Sequence, residues 1–86
     1  MNKDIILQFK QYNASIVEEN LIINKLDKIF IFEKFEAGLL RLFDGVSSLK
    51  AICDHLQNIY ANTYVEAEFL DFVRQMIEKE ILIEVV

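Results

Sequence analysis

The hydrophobic pattern changes period near residue 33. Before it, isoleucine, phenylalanine, leucine and valine come in short runs separated by polar pairs. Ser15-Ile16-Val17-Glu18 and Leu21-Ile22-Ile23-Asn24 predict two strands around a tight turn at Glu19-Asn20, with Asn20 as its left-handed residue. Lys25-Leu26-Asp27 predicts a second turn, and Lys28-Ile29-Phe30-Ile31-Phe32 a third strand. Ile5 to Phe9 fits a further strand or a short helix equally well.

From residue 34 the spacing becomes helical. Phe35, Leu39, Leu42 and Phe43 line one face of a first helix, which Asp44-Gly45 closes with a glycine at the C-terminal cap. Ser47 and Ser48 offer an N-cap to a second helix, whose stripe is Leu49, Ile52, Cys53, Leu56, Ile59 and Tyr60. Ala61-Asn62-Thr63-Tyr64 breaks it. A third helix runs from about Val65 to Lys79, with Val65, Phe69, Phe72, Val73 and Met76 toward a core, and Ile81 to Val86 predicts a terminal strand. The expected fold class is α+β, an N-terminal three-stranded antiparallel sheet followed by three helices in one domain over residues 1–86.

Composition narrows the function. The chain has 86 residues, 53% of them hydrophobic and 27% charged, with no proline, so full disorder is excluded and one small core is expected. The net charge of −5 disfavours nucleic acid and anionic membrane surfaces, because the 9 basic residues do not cluster. A lone cysteine, Cys53, makes no internal disulfide, and no apolar run is long enough for a span or a signal peptide; a cytoplasmic location is expected.

Two stretches are more apolar than their place in the fold requires. In the third strand, Ile29 and Ile31 point to one side and Phe30 and Phe32 to the other, so both faces want cover. Either helices cover one face and the N-terminal segment the other, or the strand docks a peptide. In the third helix, Leu70, Val73 and Ile77 widen the apolar arc to roughly 160°, where packing on one layer needs about 100°. That shoulder, with Arg74 at its margin, suits a groove wall unless the N-terminal segment or the terminal strand covers it.

Catalytic chemistry is thin. His55 sits off the stripe of the second helix, its neighbour Asp54 diverges from it, and Cys53 falls on the buried side. These residues cannot supply a zinc tetrad, and Gly38 and Gly45 do not form a phosphate loop. The chain is expected to be a non-enzyme without cofactor or metal.

The run Phe35-Glu36-Ala37-Gly38-Leu39-Leu40-Arg41-Leu42-Phe43-Asp44-Gly45 after three strands resembles the PqqD-like family, the recognition elements of ribosomally made, post-translationally modified peptide pathways. Leu42-Phe43-Asp44-Gly45 matches that family's helix close, and Ser48-Leu49-Lys50-Ala51-Ile52 its next helix opening. Leu56 to Tyr60 and Phe72 to Leu82 resemble its later segments, and Glu80 stands where the family often has glycine. The likeness covers about residues 13 to 84.

This resemblance implies a winged-helix-like domain that binds a precursor's leader peptide without catalysis, as a strand beside the third strand and against the third helix. The peptide-binding residues it implies are Lys28, Ile29, Phe30, Ile31 and Phe32 from the strand, with Leu70, Val73, Arg74 and Ile77 from the helix. Main-chain hydrogen bonds would give affinity and side-chain pockets the register. Lys28 and Arg74 would hold acidic leader side chains, and Val73→Glu is expected to weaken binding without unfolding the domain. The second partner would be a maturation enzyme: a radical SAM enzyme, a leader peptidase or a cyclase.

Two rivals come from other classes. A winged-helix DNA-binding regulator would need a basic reading helix, whereas the third helix sets Glu66, Glu68, Asp71 and Glu78 against Arg74 and Lys79. A self-associating interaction module, or a homodimer through the third strand, would use the same apolar edge.

Overall fold

The computed structural model describes residues 1–10, 13–25 and 27–85. The chain folds into two three-stranded antiparallel sheets and three helices, an α+β arrangement. Strand β1 is Ile6–Phe9, which settles the open reading of Ile5 to Phe9 in favour of a strand. Strands β2 (Asn13–Val17), β3 (Asn20–Lys25) and β4 (Lys28–Phe32) form a meander in the order β2-β3-β4. The left-handed residues of the β2–β3 turn are Glu18 and Glu19, with φ of 50° and 71°, and not Asn20. Asn20 instead pairs with Val17 at the end of the ladder. Two positive φ values in a two-residue turn give the twist that a hairpin needs. Of the turn expected at Lys25-Leu26-Asp27, Leu26 lies outside the described residues.

Helix α1 (Lys34–Leu40) is shorter than its sequence indicates. It ends at Leu40, and Asp44-Gly45 is no helix cap. These residues open strand β5 (Asp44–Ser48), which the sequence reading missed. Gly45 has φ of 80°, and a Cβ there would stand 3.2 Å from the Gln8 side chain, so glycine suits both the backbone and the space. The register of β5 on β1 is irregular at this point, as a bulge requires.

Helix α2 (Leu49–Ile59) begins at the expected cap: the Ser48 Oγ accepts from the Ala51 N–H at 3.1 Å. Helix α3 (Glu66–Glu78) closes with a Schellman turn. There Ile81 N–H donates to the Met76 carbonyl and Glu80 N–H to that of Ile77, both at 2.9 Å. Glu80 holds the left-handed position of that turn, with φ of 58°, where glycine is the usual residue. Strand β6 (Leu82–Glu84) then pairs with β1, giving the second sheet the order β5-β1-β6. The expected terminal strand is therefore present but short, with Val86 outside the described residues.

One core joins both sheets and all three helices. Leu7 of β1, Leu21 and Ile23 of β3, Leu40, Leu49, Leu56, Val73 and Leu82 are all buried in it. Several residues expected in the core are outside it. Phe35, Ile59, Tyr60 and Val65 are exposed, because Ala37 and Leu40 turn the buried face of α1 away from Phe35, and α2 buries only Leu49, Ile52, Cys53 and Leu56. Val73, read from sequence both as core-facing and as part of the groove shoulder, is 0% exposed and sits with Phe69 and Met76 at the centre of the buried face, so the shoulder placement fails.

Candidate functional site

A free strand edge is the clearest feature for recognition. Four strands border their sheets: β2 and β4 in one, β5 and β6 in the other. β5 is bulged by Gly45 and β6 has three residues, so both are poor templates for a further strand. β2 and β4 each pair with β3 without interruption, and among the described residues no strand pairs with the outer side of either; β4 is the one that stands beside the end of α3. Its exposed main-chain groups are therefore available to an incoming extended segment.

The two faces of β4 differ. Leu21, Ile23 and Phe32 are buried on the helix side. On the other side Ile29 is 66% and Ile31 63% exposed. Ile31 lies opposite Ile22 in register, and Val17 extends the same apolar face across β2. The N-terminal segment does not cover this surface, because β1 pairs with β5 and β6 in the other sheet. Helices thus cover one face of β4 as expected, while the expected cover of the other face by the N-terminal segment is not found.

On the helix side, Lys28 and Phe30 meet Glu78 and Lys79, at the end of α3, around a hollow of about 350 Å³. Phe30, Leu70 and Ile77 are half-buried against the core, and Arg74 is exposed on α3. Thus Lys28, Ile29, Phe30 and Ile31 lie along one accessible strand, with Leu70, Arg74 and Ile77 on the partly accessible side of α3. Phe32 and Val73 do not join them, since both are buried in the core, and a peptide could reach neither without displacing other side chains.

A second apolar surface, absent from the sequence reading, lies among α1, α2 and α3. The Phe35 and Tyr60 rings meet edge-on, with centroids 6.0 Å apart. They separate two neighbouring hollows of about 540 and 480 Å³ that share Leu39 and Leu56 as floor. Phe35 is 61% exposed and Tyr60 40%. The signal in the sequence was the length of the apolar list: α1 and α2 carry more apolar residues than one stripe each can bury.

Burial pushes the Cys53 thiol up, against a smaller lowering from Tyr64, and a protonated thiol is a poor nucleophile. The Tyr64 hydroxyl is buried without a hydrogen-bond partner among the described residues, and burial together with the Cys53 thiol raises it well above the usual phenol range. His55 is exposed on α2. Among the described residues no cluster of His, Cys, Asp or Glu could hold a metal, and no helix is long and apolar enough to cross a membrane.

No family model matches the chain, and neither does any curated protein or solved structure.

Proposed function

We propose that this protein binds an extended peptide, the leader segment of a ribosomally made precursor, by strand addition at β4, and presents it to a maturation enzyme. The observation that carries this reading is the uninterrupted β4 edge, flanked on one face by exposed Ile29 and Ile31 and on the other by the hollow at Phe30. An added strand would place alternate side chains on these two faces. Main-chain hydrogen bonds would supply affinity that is largely independent of sequence, and the Phe30 hollow would supply selection. Lys28 at its rim favours an acidic residue beside the inserted side chain. Leu70, Arg74 and Ile77 would contact the peptide from α3, while Phe32 and Val73 hold the wall from within.

The role is non-catalytic and takes no cofactor. Holding the leader raises the effective concentration of the core peptide at a bound enzyme, which makes their encounter intramolecular. The resemblance to the PqqD-like family supports the same reading, and a reducing cytoplasm suits the unpaired Cys53.

The test is a fluorescence polarisation titration of the full chain with labelled leader peptides from short reading frames beside its gene. One leader should bind below about 1 μM with weak salt dependence, and N-methylation of its alternate amides should cost at least about tenfold. Absence of binding by every such leader overturns the proposal. A dimer that forms through β4 and dissociates in the Ile31→Lys variant would favour self-association instead.

A further inference from the structure

We infer that the surface divided by the Phe35–Tyr60 pair is a second docking site, independent of β4, for an amphipathic helix of a partner protein that carries Lys or Arg beside its apolar stripe. The shape fits a helix better than a strand. The walls come from α1, the end of α2 and the start of α3, and among the described residues no strand lines the surface to pair with an extended chain. Two hollows on either side of one aromatic pair offer separate seats for two side chains of one helix face. Exposed Ile59 and Val65 continue the apolar surface beyond the two rings.

Charge decides the partner's chemistry. The larger hollow is bordered by Glu36 of α1 and Glu68 of α3, and no ion pair engages either carboxylate among the described residues. The Glu36 carboxylate accepts the backbone N–H of Glu33 at 3.4 Å, but covering Glu68 with an apolar partner would strip water from an anion without compensation, whereas a flanking Lys or Arg offsets that cost and fixes the direction of the helix. At the other hollow the cation Lys34 is already turned toward Glu19, 3.7 Å away. A second copy of the chain is a poor occupant, because its net charge of −5 repels a like surface.

The probe is a displayed library of 16-residue amphipathic helices, apolar at a/d-type positions and randomised beside them, selected on the immobilised full chain. The retained peptides should be enriched in Lys and Arg at one end of the stripe. A synthetic copy of the best one should lose about tenfold or more in affinity for Phe35→Glu, a change at an exposed side chain that leaves circular dichroism and leader binding at β4 unaltered. For Glu68→Lys it should weaken roughly fivefold, and a charge-reversed copy should recover the difference. Retained peptides without a basic bias overturn the inference, as does binding that survives Phe35→Glu. Sedimentation showing a dimer that Phe35→Glu dissociates would assign the surface to self-association and overturn it equally. Because leader binding is read separately on the same variants, failure here and failure at β4 cannot be confused.

Discussion

The Lys25 Nζ lies 2.7 Å from the carbonyl oxygen of Lys79, joining the end of β3 to the C-terminus of α3. That carbonyl is one of the acceptors a helix leaves unpaired at its negative end, so a cationic donor suits it. The same ammonium stands 3.0 Å from the Glu80 carboxylate. The contact closes the hollow at Phe30 from below, since Lys25 and Lys79 both line it. Lys25→Met should lower stability by about 1 kcal/mol and weaken leader binding in parallel. Urea midpoints and the titration read the two effects. A variant that loses stability but binds normally would separate the hollow from recognition.

Glu80→Gly, at the other partner of the contact, should act in the opposite direction. It removes an exposed ion pair of small worth but relieves a left-handed backbone that glycine adopts without strain. The thermal midpoint should rise. A fall would mean that the ion pair outweighs the backbone.

The β2–β3 turn carries the same kind of strain twice. Glu18 and Glu19 are both left-handed and adjacent, and two like charges share the tip. Replacing them with Asn-Gly keeps the turn type and should stabilise the chain by about 1 kcal/mol, a rise of roughly 4–8 °C in Tm. An unchanged Tm would show that the tip is already relaxed in solution.

The parts of the fold legible in the sequence are those where period and punctuation agree. The meander from β2 to β4 is made of short β-branched and aromatic runs between turn residues, and α2 starts at a serine cap ahead of a helical apolar spacing. Strand β5 was hidden because Asp44-Gly45-Val46-Ser47-Ser48 has little strand propensity, and its partner β1 lies more than thirty residues away in sequence. Helix α1 is seven residues long, so two turns offered more than one apolar face, and the small Ala37 rather than Phe35 marks the buried one. In α3 the apolar arc is wide enough that its centre cannot be read from spacing, and burial places it at Phe69, Val73 and Met76. At the candidate site, one residue of each half differs from its expected place: Phe32 of the strand and Val73 of the helix are buried, while Lys28 to Ile31, Leu70, Arg74 and Ile77 keep some exposure.

The burial of Val73 reverses one expected variant. Val73→Glu would bury a carboxylate in a fully enclosed position, at a cost on the order of 4 kcal/mol or more, and should unfold the chain rather than spare it. Ile31→Lys places a charge on an exposed face and should keep the fold while weakening leader binding roughly fivefold. Circular dichroism with the titration distinguishes them. A folded Val73→Glu protein would mean that α3 can rotate away from the sheets.

The acid limb of stability should depend on Asp44. Its Oδ1 accepts from the backbone N–H groups of Ser47 and Val46, both at 2.9 Å, and these bonds hold its carboxyl below the ordinary carboxylate range. A group depressed in the folded state adds stability above its unfolded value, and that contribution is lost as pH falls through the folded one. Glu80, lowered by Lys25, has the same sign. The urea midpoint should therefore fall below about pH 4. Lys3, raised mainly by its hydrogen bond to Glu66, has the opposite sign, full below its ordinary value and lost at alkaline pH. Asp44→Asn keeps an oxygen acceptor for the same two N–H groups but removes the titration, so its midpoint should vary less between about pH 5 and pH 2. Because backbone hydrogen bonds rather than a charged partner cause the Asp44 shift, added salt should leave that difference in place while it weakens the Glu80 contribution. Parallel curves for the parent and Asp44→Asn would show that this turn does not couple protonation to folding.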